Sequence, residues 1–339
     1  MINSVSLSAI QFVGTQRSGS NLLRVMLNQL PEISAPHPPH ILKTFFPLLE
    51  LYGDLAEEKN FRLLVADVCK WVNRNPVPWQ DIVFDTETVF RACKQRNLVE
   101  IFRRIYEMKA RKEGARYWCC KSMESVYYTD EIENAGIHPY YIFIYRDGRD
   151  VALSFLKAIV GPKHVYHLAR KWKTEQELSL KLKGQVPDAR FIEVQYEELL
   201  AHPREVLEGI CNKLQLKFDE AMMDYFHSEE SLNTASSGEM WKNVVKPILR
   251  NNHHKYLREL TLTQIGIFEG VAHEMLTRLG YPLFTDASSF RLSEEDVELY
   301  NQENARGIQE ALRKADPTDV LKREPQESLL KEIKNRIIR

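Results

Sequence analysis

The sequence lacks several things, and each lack removes a class of function. Its 46 Lys and Arg stand against 47 Asp and Glu, a formal charge of −1. The chain therefore has no overall basic field for holding nucleic acid or an anionic membrane, and any anion must be met by a local cluster. No apolar run approaches the ~20 residues that span a bilayer. The first residues, Met1-Ile-Asn-Ser-Val-Ser6, carry no charged leader segment. The five cysteines, Cys69, Cys93, Cys119, Cys120 and Cys211, form no C-x-x-C pair, and the adjacent Cys119 and Cys120 fall in a strand-like run where alternate side chains diverge. Free thiols in a reducing, cytoplasmic compartment are expected. What the chain does have is 339 residues at 44% hydrophobic content, enough for a full core.

One more absence is chemical. The apolar Ala9-Ile10 leads into Phe12-Val-Gly-Thr-Gln-Arg-Ser-Gly-Ser-Asn21 and then into Leu22-Leu-Arg-Val-Met-Leu27. A strand, a tight loop with Gly14 and Gly19, and an amphipathic helix make a phosphate-binding turn, in which loop amides and a helix N-terminus face an anion. The ATP-type loop reads G-x-x-x-x-G-K-[ST], whereas here Ser20 and Asn21 stand in place of the lysine and the hydroxyl residue. The cation is displaced to Arg17, and Asn21 is a poor ligand for Mg²⁺. No metal is expected.

Short apolar and aromatic runs at Arg116–Cys120, Tyr140–Tyr145 and Phe191–Val194 read as buried parallel strands. Lys121 and Arg146 then fall at strand ends, where open α/β sheets bind ligands. Helical periodicity marks 165–182 and 261–279, and a mostly helical insertion at about 41–111 follows the proline-rich Pro31–His40. The stretch 231–243 is polar and reads as loop. The fold expected is α/β and P-loop-like: three layers with a central, mainly parallel sheet flanked by helices over residues 8–284, then a helical extension over 285–339. In that extension Ser293 caps a charged helix to Ala315, Pro317 breaks it, and 326–339 is amphipathic through Leu329, Leu330, Ile333 and Ile337. A lid strap or a homodimer contact is expected of it.

Two motifs carry a resemblance. Arg17-Ser-Gly-Ser-Asn-Leu-Leu23 resembles the 5′-phosphosulfate loop of the sulfotransferases, which use 3′-phosphoadenosine 5′-phosphosulfate as donor. Tyr145-Arg-Asp-Gly-Arg-Asp-Val-Ala-Leu-Ser154 resembles that family's 3′-phosphate motif, with Arg146 at a strand end and Ser154 inside the next helix. The resemblance covers about residues 8–282. It implies that Thr15, Gln16, Arg17, Ser18, Gly19, Ser20 and Asn21 hold the 5′ end, that Arg146 and Ser154 hold the 3′-phosphate, and that Tyr196 borders the adenine. Trp241-Lys-Asn243 and Val245-Lys-Pro247 are similar to the gate over the nucleotide in the cytosolic and tyrosylprotein-type branches respectively. They leave Lys242 and Lys246 as alternatives for one donor contact.

The resemblance also assigns Lys121 to the transferring sulfuryl group and Arg17 to the leaving oxygen. The histidine that cytosolic members place after the Lys121 strand is absent, because Met123 stands there. Tyrosylprotein-type members carry a glutamate at about the distance from the loop where this chain has His37. A histidine suits proton transfer at neutral pH, so His37 is the expected base and His40 its rival. The function implied is sulfuryl transfer to a hydroxyl or amine of a small-molecule or lipid acceptor. A nucleotide-binding protein without catalysis and an atypical P-loop kinase stand as alternatives, the second with Asp147 as its metal carboxylate.

Overall fold

The computed structural model describes residues 7–287 and 290–336. The first strand, β1 (Ser8–Val13), is buried over nearly its whole length and leads through the glycine loop into α1 (Ser20–Leu27). A two-residue strand, β2 (Ile33–Ser34), follows, then the insertion α2 (Ile41–Phe45), a 3₁₀ turn at Phe46–Tyr52, α3 (Glu58–Asn73), α4 (Thr86–Ala92) and α5 (Leu98–Glu113). Next come β3 (Tyr117–Cys120), α6 (Thr129–Asn134), β4 (Tyr140–Tyr145), α7 (Gly148–Lys157), α8 (Val165–Lys183) and β5 (Phe191–Gln195). The chain continues through α9 (Tyr196–Ala201), α10 (Pro203–Lys213), α11 (Glu229–Ser236), a 3₁₀ turn at Glu239–Val245, α12 (Tyr256–Glu259) and α13 (Leu262–Arg278). It ends with α14 (Glu294–Arg313) and α15 (Pro317–Lys334).

The strands pair in parallel in the order β2-β3-β1-β4-β5. Because they run the same way, all their C-terminal ends, and the loops that follow them, open on one edge of the sheet. Both faces are covered, which is why β4 reads Tyr-Tyr-Ile-Phe-Ile-Tyr without polar alternation. One face packs on the insertion helices through Trp118 and Cys120, the other on α1 and α10 through Cys119 and Ile142. On the β4 side α7, α8 and α13 share a core around Trp172 and Phe268.

Two stretches differ from the sequence expectation. The polar 231–243 stretch is helical: Ser228 caps α11 by accepting from the Ser231 amide at 3.2 Å, and Glu230 and Thr234 both meet the buried Arg24. Its polar residues face a buried cation, so it carries no apolar periodicity. In the extension, Pro317 does end one helix, but it also opens the next, because a proline at the first helical position gives up no intrahelical bond. Asp316 caps α15, and Pro325 lies inside it. The apolar residues Leu329 and Ile333 are buried against the chain's own insertion, while Ile337 lies outside the described residues. Arg336 grips the buried Asp67 at 2.6 and 3.2 Å, and Asp67 also accepts from Tyr52 Oη at 2.9 Å.

Docking of α15 therefore belongs to the insertion core. Leu329→Ala is expected to cost about 2–5 kcal/mol in chemical denaturation, whereas Leu312→Ala, at an exposed position on α14, stays within about 0.5 kcal/mol.

Candidate active site

Loops from all five strands meet in a cavity of about 690 Å³ at the C-terminal edge of the sheet. The loop after β1 forms its floor. Gly14 and Gly19 both take positive φ, 112° and 84°, the region where a Cβ is strained. Gly19 is required for a second reason, since a Cβ there would stand 2.2 Å from the Tyr196 ring, which lies across the loop. Arg17 also takes positive φ (72°) and donates from Nε to Ser154 Oγ at 3.0 Å. Arg146 donates to the Arg17 carbonyl (3.3 Å) and the Asn252 carbonyl (2.9 Å), meets Asp150 at 3.3 Å, and sits 4.6 Å over the Tyr196 ring. The loops after β1 and β4 are thus directly tied, though 129 residues separate Arg146 from Arg17.

The other half of the cavity is built after β2 and β3. His37 is buried, both ring nitrogens lack a hydrogen-bond partner within the protein, and its ring meets Trp241 edge-on at 4.7 Å. Its carbonyl is fixed by Trp79 Nε1 at 2.6 Å. His40 takes φ 54° and shares a hydrogen bond of 2.8 Å between its Nδ1 and Ser122 Oγ. Burial, and the cations Lys121 and Arg24, hold the His37 imidazole well below its ordinary pKa; burial, Lys121 and Lys43 do the same for His40. Both rings are neutral at neutral pH. Lys121 is pushed down to about 7 by burial and by Arg24 and Arg17, and Arg17 is lowered by burial and by Arg146.

Gln16, Arg17, Gly19, Ser20, Asn21, His37, Lys121, Arg146, Ser154 and Tyr196 all line this cavity. Thr15 and Ser18 lie behind it. Thr15 Oγ1 is buried and accepts from Gln176 at 2.9 Å, whereas the Ser18 hydroxyl is buried without a partner in the protein. Lys242 and Lys246 do not line the cavity. Both residues are exposed on the 3₁₀ turn and its end, and the Lys246 carbonyl is held by Tyr225 Oη at 2.7 Å. The segment presents Trp241, Asn243 and Val244 to the cavity instead.

Several residues at the site were missed. Asn252 joins Arg146 to Tyr196, donating to Tyr196 Oη at 2.6 Å, and Lys255, Asp319 and Arg323 line the wall. Arg24 is fully buried and reaches the Asn21 side chain (2.8 Å), the Ala35 carbonyl (2.7 Å), Thr234 (2.8 Å) and Glu230, so it ties the glycine loop, the proline-rich loop and α11 together. An arginine among Leu23, Val25, Met26 and Leu27 was the signal that could have exposed it. Asp147, the one candidate metal carboxylate, is occupied by Arg149, which it holds at 2.9 and 2.7 Å. Among the described residues no group of three or more His, Cys, Asp or Glu converges.

The pattern of the sulfotransferase family matches residues 10–220, which includes most of β1, all of β2 to β5 and both tied loops. The chain belongs to the sulfotransferase family. It is a transferase of the sulfuryl-transferring class, and the kinase reading falls with that assignment. Among curated relatives this sulfotransferase is similar to protein-tyrosine sulfotransferase 2 of Gallus gallus, 23% identical over 82% of this chain and 70% of the relative. It is also similar to protein-tyrosine sulfotransferase 1 of Danio rerio, 23% identical over 90% of this chain and 80% of the relative. In fold it resembles the sulfotransferase domain of the Synechococcus PCC 7002 olefin synthase (TM-score 0.53, 22% identity, 83% of this chain and 98% of the domain). The same holds for the sulfotransferase domain of the curacin biosynthetic pathway (TM-score 0.56, 17% identity, 83% and 100%).

The depressed pKa of Lys121 has a consequence for stability. Between about pH 7 and its unfolded value near ~10.4 the unfolded chain binds the proton that the folded chain has lost, so stability rises with pH across that window. Lys121→Met is expected to reduce this rise, read from denaturation midpoints at stepped pH.

Proposed function

We propose that this sulfotransferase takes its sulfuryl group from 3′-phosphoadenosine 5′-phosphosulfate and passes it, in line and without a metal, to the hydroxyl or amine of a small or lipid acceptor. The observation that carries the reading is a convergence of three cations, Arg146 buried and Arg17 and Lys121 half-buried. Arg17, Lys121 and Arg146 line one cavity whose floor is a glycine turn at a helix N-terminus, a geometry suited to an anion with several phosphate-like groups. The residues fit that donor in a further respect. The Ser18 hydroxyl, Asn21 Nδ2 and Arg146 Nε are buried polar atoms without partners in the protein, and such atoms in a native fold call for an explanation.

In this reading Arg146 and Ser154 hold the 3′-phosphate and Tyr196 borders the adenine. The backbone of 15–21 cradles the 5′-phosphate, and Arg17 stabilises charge on the oxygen that departs. Lys121 neutralises the equatorial oxygens of the group in flight, as preorganised charge does in phosphoryl transfer. His37 takes the acceptor's proton while the acceptor oxygen or nitrogen bonds to sulfur and the bond from sulfur to the 5′-phosphate oxygen breaks, leaving 3′,5′-adenosine bisphosphate. His37 is suited to this because its imidazole is neutral and its ring nitrogens are unengaged. A second reading makes His40 the base, and the 2.8 Å contact with Ser122, which orients its ring, favours it. Five free cysteines support a reducing, cytoplasmic setting.

The test is sulfuryl transfer from a labelled donor by single-site variants. His37→Ala is expected to lower kcat by about 100-fold or more while the dissociation constant of 3′,5′-adenosine bisphosphate stays within about threefold. A loss confined to His40→Ala would move the base to His40, and full activity in both variants would contradict a histidine base.

A further inference from the structure

The glycine loop carries one polar group that donor binding leaves unused. Gln16 stands between Thr15, which accepts from Gln176 at 2.9 Å, and Arg17, which donates to Ser154 at 3.0 Å, so both neighbours fix its place. Its Nε2 donates to Glu124 Oε2 at 2.7 Å. Glu124 lies on the 3₁₀ turn after β3, Met123–Tyr128, and its other oxygen is 2.6 Å from Lys43 and 3.8 Å from Lys171. A carboxylate between lysines only accepts. Glu124 therefore decides which way round the amide sits: the nitrogen faces Glu124, and Oε1 is left as an acceptor with no partner among the described residues, on a side chain that lines the cavity.

The reacting end of the donor cannot supply that hydrogen. Phosphate and sulfuryl oxygens accept, and the adenine and ribose lie toward Tyr196 and Arg146 in the reading above. The hydrogen must come from the acceptor. The base asks for a second one, since His37 lines the same cavity with both ring nitrogens buried and without partners in the protein. An alcohol has one hydrogen on its nucleophilic atom and leaves one of the two acceptors empty, which costs free energy away from water. A primary amine has two.

We infer that the acceptor nucleophile is the amino group of a primary aryl amine, with one N–H on Gln16 Oε1 and the other on His37, and that Glu124 is the positioning residue that holds Gln16. The nitrogen lone pair bonds to sulfur while the bond from sulfur to the 5′-phosphate oxygen breaks. One proton passes to His37, the other stays on nitrogen against Gln16, and the products are a sulfamate and 3′,5′-adenosine bisphosphate. The amine has to be neutral, because an ammonium has no lone pair and would meet Arg17 and Lys121. Aryl amines are neutral at neutral pH, whereas alkyl amines are charged. Trp241, edge-on to His37 at 4.7 Å, gives the aryl ring an apolar wall.

This inference rests on the proposed donor, and its test keeps the two apart. Para-aminophenol carries a hydroxyl and an amine on one ring, so the ratio of sulfamate to sulfate ester, separated by chromatography and assigned by NMR, reads the preference directly. The unaltered protein is expected to favour the sulfamate by about tenfold or more. Gln16→Met, of similar length but without the acceptor, lowers that ratio about tenfold and leaves the dissociation constant of 3′,5′-adenosine bisphosphate within about threefold, because the loop backbone holds the 5′-phosphate. Glu124→Gln lowers the ratio too, since a neutral amide can face either end of Gln16. Failure of the bisphosphate to bind would overturn the donor reading and this inference with it. Normal bisphosphate binding with mainly sulfate ester, with no transfer to para-aminophenol, or with a ratio that neither variant changes would overturn this inference alone.

Discussion

The site depends on like charges that the fold forces together. Arg17, Lys121 and Arg146 follow three different strands at one edge of a parallel sheet, and burial disfavours the charge of Arg17 and Lys121 there. The carboxylate that meets Arg146 is Asp150, at 3.3 Å. Such an arrangement costs free energy in the protein alone and is relieved by an anion. Charge placed before the reaction needs no reorganisation during it, which is the main lever when the transferred group bears little charge of its own.

Holding those cations in place takes structure well outside the glycine loop. Arg24 joins α1 to the proline-rich loop and to α11, so the half of the cavity that carries His37 and the floor that carries Arg17 share one buried guanidinium. On the other side Arg149 binds Asp147, Glu269 and the Pro282 carbonyl (2.9 Å), fixing α7 against α13 and with it the positions of Arg146 and Ser154. The extension adds a third brace. Asn304 of α14 accepts from the Lys163 amide at 2.7 Å, beside a loop whose residues 158–160 line the cavity.

How much of this was legible in the sequence depended on distance along the chain. The glycine loop and the run from Tyr145 to Ser154 are local patterns in which spacing fixes geometry, and their residues do meet. The strands β3 and β4 were legible because burial on both faces leaves them apolar and aromatic throughout. The direction in which a side chain leaves an irregular turn is not a local property, and so Lys242 and Lys246 were expected at a cavity that receives Trp241, Asn243 and Val244. Helix α11 was hidden because its polar residues face Arg24. Asp319 and Arg323 could not be placed, since only the docking of Leu329 and Ile333 brings them to the cavity. Asn252 and Lys255 are likewise ordinary in sequence and reach the cavity only through long-range contacts.

The account's central claim is that this cavity binds a nucleotide bearing a 3′-phosphate through its own cations. Calorimetric titration of EDTA-treated protein with 3′,5′-adenosine bisphosphate, beside ATP with and without Mg²⁺, tests it most directly. The account predicts tight binding of the bisphosphate without metal, weakened about tenfold or more by Arg146→Ala, and weaker binding of ATP in either condition. Preference for Mg-ATP, or bisphosphate binding that Arg146→Ala leaves unchanged, would contradict it.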